Sequence, residues 1–359
     1  MSDKSQSLFR LAIQKFKKNR LGLVCFWFIL LCGFMAIFGY LIAPDNSSNA
    51  NQMHLEIHSK KPGFSVLMLT IPNQEKLTQS FVSKMFFGVQ NSPTEIPIKS
   101  YDINENQLTY VKYADGLTKS IDLNLINNTP EKFIKQKTFY FGTDKYGRDL
   151  LSRLIIGTRI SFFIGFIAVF ISLLIGIALG ATAGYFGGKV DTFIMWIINI
   201  TWSIPTLLLV IAITLALGKG YWQVFIAVGL TMWVEVARVV RGQVLTTKQQ
   251  QYVEAARALG YSNFRIVFKH ILPNIMAPVI VISAANFASA ILIESGLSFL
   301  GIGAQPPTPS WGAIIKNHYN YIILGKPYLA IIPGLAIMSL VMAFMLVGNT
   351  LRDVLDVKS

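Results

Sequence analysis

Few residues in this 359-residue chain are placed to do chemistry. Two carboxylates, Glu235 and Glu294, lie inside long apolar segments. An acid in such a place relays protons, lines a polar cavity, or is neutralised by a neighbour. Arg238 follows Glu235 by three positions, which puts both on one helix face. Pairing and a proton relay therefore both fit Glu235. Glu294 has no sequence-near partner and either lines a cavity or reaches the interface. His54 and His58 are four apart, but their segment reads as strand or loop, which does not gather them around a metal. No run has the G-x-x-x-x-G-K-[ST] spacing that cradles nucleotide phosphates. Lys189, Lys219 and Lys326 each follow a glycine, but without the upstream glycine or the following hydroxyl. No nucleophile–base pair and no coupled carboxylates stand out. What remains is a polar stretch between two apolar runs, "EAARALGYSNFRIVFKHILPN" at 254–274.

The elements that hold these residues are read from composition. Charged residues make up 14% of the chain and hydrophobic ones 53%, well short of the roughly 25% charge of a soluble domain. The net charge of +14 raises nucleic acid as a partner. There is no zinc-finger spacing and no basic stripe on a polar helix, and much of the charge flanks apolar runs, so no nucleic-acid partner is expected. Cys25 and Cys32 share one apolar run. On a helix they stand about 10 Å apart, too far to bridge, and they read as packing residues.

Six apolar runs are long enough to cross a hydrocarbon core about 30 Å thick: 21–43, 155–184, 190–217, 222–246, 272–297 and 329–350. The first has too long a core and too poor a cleavage site for a signal peptide. The expected fold is therefore an all-α membrane protein of six transmembrane helices, carrying a small β-rich extracytoplasmic insert. Its parts are a cytosolic segment and first span at 1–43, the insert at 44–150, and a five-helix core at 151–359. Within the insert, "FSVLMLTI" reads as a strand. "QLTYVKYADGLTKSIDLNL" alternates around Asp115-Gly116, a hairpin signal. "DLLSRLIIGTRIS", with Arg148, Arg153 and Arg159, could be an interfacial helix.

The short inner loops hold Lys189, Lys248, Arg257, Arg265 and Lys269, and the short outer loops hold little beyond Lys219, Lys316 and Lys326. This asymmetry places both termini and 247–271 in the cytosol. Gly176, Gly180 and Gly184 recur every four residues in the second span, where they can form a close helix-packing seam. Pro205, Pro278 and Pro333 are expected to kink their helices. Gly301, Gly303, Pro306, Pro307 and Pro309 cannot share one regular helix. Irregular backbone at membrane depth is buried in protein or lines water, so 297–312 is expected to line the path and gate it from outside. Glu294, Gly301, Gln305, Pro306 and Trp311 are its candidate residues.

In the polar stretch, 248–259 suits a helix that Gly260 ends at positive φ. Ser262 caps a second helix, and Pro273 opens the next span. Glu254 offers an acceptor to a cationic partner, and Ala255 and Ala256 leave a shallow face for another protein.

Glu254-Ala255-Ala256, Gly260 and Leu272-Pro273 resemble the EAA loop of ABC importer permeases. "KHILPN", "FGTDKYGRDLLSRLIIGTRIS" (141–161), "GYFGGKVD" (184–191), "IPTLLLVI" (204–211), "LSFLGIGAQPPTPSWG" (297–312) and "LVGNTLRDVLD" (346–356) resemble the C-type permease of the dipeptide/oligopeptide/nickel branch. Asn349 stands where the branch usually has an acid and Val357 where it has proline, and 44–140 is longer than usual.

The resemblance implies a bacterial inner-membrane transport subunit that is not itself an enzyme and binds no cofactor. Its partners would be a homologous B-type permease, two ATP-binding cassette ATPase subunits that use the ATP, an extracytoplasmic substrate-binding protein, and membrane lipid. The implied substrate is a short peptide, and Glu254, Ala255, Ala256 and Gly260 would couple the chain to the ATPases. The competing readings are an ion- or proton-coupled secondary transporter working through Glu235 or Glu294, and a membrane-anchored enzyme with its site in 44–140.

Overall fold

The computed structural model describes residues 8–73, 78–104, 107–114, 116–122 and 133–355. Asp115 and Val357 lie outside them. The chain forms two compact units: Met1–Cys32, Ser161–Ala304 and Ala336–Ser359 make one, and Gly33–Ile160 with Gln305–Leu335 make the other.

Among the described residues, five helices are long and apolar enough to cross a membrane. Four are continuous: α2 (Arg20–Ile42), α4 (Leu150–Phe186), α7 (Tyr221–Thr247) and α12 (Tyr328–Leu355). The fifth, Asn263–Leu300, ends in α10 (Met276–Leu300). A short α1 (Leu8–Lys18) precedes them. The expected span at 190–217 is the exception: α5 (Gly188–Ser203) and α6 (Thr206–Leu217) meet at a 91° bend. Counted as one span they make six among the described residues, and otherwise there are five. The cause is local. Ile204, ahead of a proline, is pushed out of the helical region to φ −91°, ψ 129°, and Pro205 has no N–H to continue the ladder. Pro333, by contrast, lies inside continuous α12.

In the first unit, Gly176, Gly180 and Gly184 line the face of α4 that meets α7. A Cβ on Gly176 would lie 2.5 Å from Val236 Cβ. One on Gly180 would lie 2.5 Å from the Ala237 carbonyl oxygen, and one on Gly184 2.9 Å from that of Arg241. Only hydrogen side chains permit this approach along two helical turns.

The second unit contains an antiparallel sheet in the order β4-β3-β2-β1-β5: β1 (Phe64–Ile71), β2 (Thr94–Asn104), β3 (Gln107–Lys112), β4 (Thr118–Asp122) and β5 (Ile134–Phe139). β1 is nearly all apolar because both its faces are covered. Val66 and Met68 pack with Ile57 and Phe139, while Leu69 packs with Ile98, Leu108 and Ile134. A helical turn, α3 (Phe81–Phe87), sits between β1 and β2.

The stretch 149–161 is no separate interfacial helix; from Leu150 on it is the start of α4. Asp144, wholly buried, accepts from the backbone N–H groups of Tyr146 (2.8 Å) and Arg148 (2.9 Å) and pairs with the Arg148 guanidinium at 2.6 Å. Arg153 donates to the carbonyls of Asn49 and Ala50, and Arg159 to that of Phe86 at 2.6 Å. The three arginines thus bind the loops of their own unit instead of reaching into solvent.

Candidate functional site

The polar module follows α7. Its first helix, α8 (Gln251–Ala258), ends at Gly260, whose φ is +72°. The Tyr261 N–H donates to the Ala256 carbonyl (3.2 Å) and the Gly260 N–H to that of Arg257 (3.0 Å). These two bonds make the glycine-terminated C-cap that satisfies orphan carbonyls. The Ser262 hydroxyl then accepts from the Arg265 N–H and caps α9 (Asn263–Arg265), which runs on through Ile266–Ile271 into α10.

The module is packed onto the spans. Val253, Ala256, Ile266 and Ile271 are buried with Tyr185 of α4, Val240 and Val244 of α7 and Val279 of α10. The Tyr185 hydroxyl donates to Asn263 Oδ1 (2.8 Å), and Lys248 Nζ to the Gly184 carbonyl (2.8 Å). Arg241 on α7 holds Asp191 on α5 through two bonds of 2.5 and 2.6 Å. Displacing the module therefore displaces helix ends.

The shallow face expected from Ala255 and Ala256 is only half present. Ala256 turns inward at 4% exposure because the period of α8 sets it beside Val253, whereas Glu254 and Ala255 are open. Beside them the module exposes Leu259 (72%) and Phe264 (71%), with Phe268 and Tyr252. The Phe264 and Phe268 rings lie 4.2 Å apart. Sequence reading missed this patch. The available signal was the i, i+4 phenylalanine pair, out of phase with the inward Ile266 and Ile271. His270, stacked on Tyr261, is half-buried within the module.

Within the membrane, Arg238 does not pair with Glu235. Its guanidinium donates to Asn199 Oδ1 (2.8 Å) and lies over the Trp202 ring at 3.5 Å. Both partners lie on α5, some forty residues before Arg238, and no sequence-local rule shows them. Glu235 instead lines a cavity of about 190 Å³ beside the bend, with Trp202, Leu209, Thr231 and Ser289.

Glu294 does have a sequence-near partner. Buried at 1% exposure, it accepts from Ser298, four residues on, at 2.7 Å, and from Ser161 at 3.4 Å. The Ser298 hydroxyl in turn accepts from the Ala304 N–H at 3.1 Å. Gly303 is pressed against Ser298, where a Cβ would lie 2.2 Å from Oγ. Gly301 ends α10 at φ +85°. Glu294 thereby fixes the start of the irregular loop.

The rest of that loop belongs to the other unit. Gln305 accepts from the Thr308 N–H, and Pro306 is exposed. Trp311 opens α11 (Trp311–His318) but does not face open space. It is buried at 3%, donates to the Leu154 carbonyl at 3.0 Å and packs over Gly157. Among the described residues no group of histidine, cysteine and carboxylate is arranged to hold a metal.

The family model described as binding-protein-dependent transport system inner membrane component matches residues 176–358. A second, the N-terminal TM domain of oligopeptide transport permease C, matches residues 7–62. The glutathione transport system permease protein GsiD of Pectobacterium atrosepticum is 41% identical over 61% of this chain and 72% of its own length. The dipeptide transport system permease protein DppC of Alkalihalophilus pseudofirmus is 40% identical over 61% and 72%. Among solved structures, an inward-facing methionine ABC transporter aligns with 57% of this chain and 97% of its own at 21% identity, with a TM-score of 0.47. The first model covers more than half of the chain and the second covers its first span, so the chain belongs to the inner-membrane permease components of binding-protein-dependent ABC importers.

Proposed function

We propose that the chain is the C-type permease of a short-peptide importer and forms half of the translocation path with a homologous B-type permease. The relatives named for dipeptide and glutathione transport, both short-peptide systems, support the substrate class. On this reading α5 and α6 together make the sixth span. The 44–150 segment faces outward to the substrate-binding protein, and both termini and the polar module face the cytosol. Two separate ATPase subunits turn over the ATP.

One observation carries the coupling role. The polar module exposes Glu254, Leu259 and Phe264 on one side and buries Val253, Ala256, Ile266 and Ile271 against three spans on the other. An exposed apolar cluster with a carboxylate at its edge is a partner-docking surface. The rigid inner side carries ATPase movement to the bundle, which then alternates its opening. Glu235, beside its cavity, and Glu294, which holds Ser298 before Gly301, belong to the path and its outer gate.

The test uses two variants. Glu254→Lys reverses the docking charge. Gly260→Val places a β-branched residue at φ +72°, a local cost on the order of 1–2 kcal/mol. Both should insert and pair with the B-type permease, but co-purify poorly with the ATPases or fail to raise ATP turnover when loaded binding protein is added. Full assembly and full stimulated turnover in both variants would refute the coupling role.

A further inference from the structure

The seven-residue helix α3 has five apolar residues and buries none of them. Phe81 (67% exposed), Val82 (60%) and Phe87 (63%) stand open, as does Phe86. Its ends are nevertheless well formed. Ser80 accepts from the Ser83 N–H at 3.2 Å, and Gly88, at φ +73°, closes it. A well-capped helix with no buried face needs another medium to cover it.

Two spans fix the height of that helix. Its carboxyl end is held by Arg159, which donates to the Phe86 carbonyl at 2.6 Å and lies over the rings of Phe86 (5.8 Å) and Tyr40 (5.2 Å). Gly88 lies against the Tyr40 ring so closely that a Cβ would be 2.8 Å from it, and the Val89 N–H donates to the Asn46 carbonyl at 2.9 Å. Tyr40 lies two residues before the end of α2, where aromatic residues mark a membrane boundary. Arg159 is the last charged residue of α4. Nothing from Ile160 to Phe186 carries charge, a length of about 40 Å that covers a hydrocarbon core of about 30 Å. The first nine residues of α4 therefore project beyond the bilayer, and Arg159 stands at its surface. On α2, Leu41 and Ile42 are exposed in the same turn as Tyr40.

We propose that α3 is an interfacial membrane anchor. Phe81, Val82, Phe86 and Phe87 enter the headgroup–acyl boundary of the leaflet on the side of the 44–150 segment, and exposed Lys84 meets anionic headgroups. Lipid is the occupant because both supporting residues set the helix at the level where the lipid-facing sides of α2 and α4 meet water. The anchor ties the sheet-bearing segment to the membrane plane and limits its tilt.

The experiment uses the assembled transporter in phosphatidylethanolamine–phosphatidylglycerol vesicles. Cys25 and Cys32 are replaced by alanine, and single cysteines at positions 82 and 87 are spin-labelled in turn. Position 34, exposed on α2, is the lipid reference, and position 101, exposed on β2, is the water reference. Collision rates with oxygen and with a water-soluble nickel chelate are measured for each label. Labels at 82 and 87 should lose nickel accessibility relative to 101 and gain oxygen accessibility towards that of 34. Adding Arg159→Gln should shift the label at 87 towards the water reference. Nickel accessibility equal to that of 101 at both positions would place the helix in water. Immobile labels shielded from both reagents would place a protein partner there. Either result overturns the proposal.

Discussion

Adding one methyl group to the glycine seam should separate α4 from α7. In Gly180→Ala the new Cβ would lie 2.5 Å from the Ala237 carbonyl oxygen, 2.9 Å from Val240 Cβ and 3.0 Å from Ala237 Cα. Two of the three obstacles are backbone, so no side-chain rotation relieves them and the helices must part. Overpacking of this kind costs about 1–3 kcal/mol. Widening the seam by 0.5–1 Å also forfeits roughly a quarter to a half of each dispersion contact along it. Alanine returns about 0.5–1 kcal/mol of helix propensity, which leaves a net loss of about 1–2 kcal/mol. Gly242 on α7 is the control, because nothing lies within 4 Å of a Cβ there. Gly242→Ala keeps the propensity gain and should be neutral or slightly stabilising. The assay is equilibrium unfolding of each purified variant in mixed micelles with increasing dodecyl sulfate. Adding Val240→Ala to Gly180→Ala should restore only part of the loss, since the carbonyl contact remains. If Gly180→Ala matches wild type or Gly242→Ala in midpoint, the close approach of these helices is not what the seam provides.

Asp144→Asn should destabilise the second unit by about 3–5 kcal/mol, because it leaves the Arg148 guanidinium buried without its counter-charge. Faster proteolysis between Ile57 and Leu150 reads this out, and wild-type resistance would refute it. The second unit should also lose stability in acid. Burial alone raises the pKa of Glu95, but His54 at 3.6 Å and Lys137 at 2.6 Å outweigh it and hold the carboxyl below its ordinary value of 4.5. The stabilisation is therefore present above pH 4.5 and is lost as pH falls through the lowered value. Amide hydrogen exchange in β1 and β5 should quicken over that range, and Glu95→Gln should abolish the dependence.

Much of this protein is local and could be read along the chain. A span is a property of consecutive residues, so the apolar runs inside α2, α4, α7 and α12 follow from hydropathy and length, whereas the extra turns at the start of α4 and the end of α12 do not. Gly260 and Ser262 announce a helix end and a helix start because each acts on backbone within a few residues of itself. The apolar run at 64–71 reads as a strand for the same reason.

Other features depend on what lies opposite, and only the tertiary structure decided them. Ala255 and Ala256 are identical in type, yet one is open and the other closed, because packing on α4, α7 and α10 sets the rotation of α8. Arg238 has Glu235 as its sequence neighbour but finds Asn199 and Trp202 on α5, far back along the chain. Trp311 reads as part of a path-lining loop and is buried in the hollow that Gly157 leaves on α4. Nothing along the chain marks the five apolar residues of α3 as an open face, and the fold leaves Phe81 and Phe87 exposed beside Arg159 and Tyr40. In each case the residue's chemistry is written in the sequence, while its partner is fixed by contacts between segments far apart along the chain.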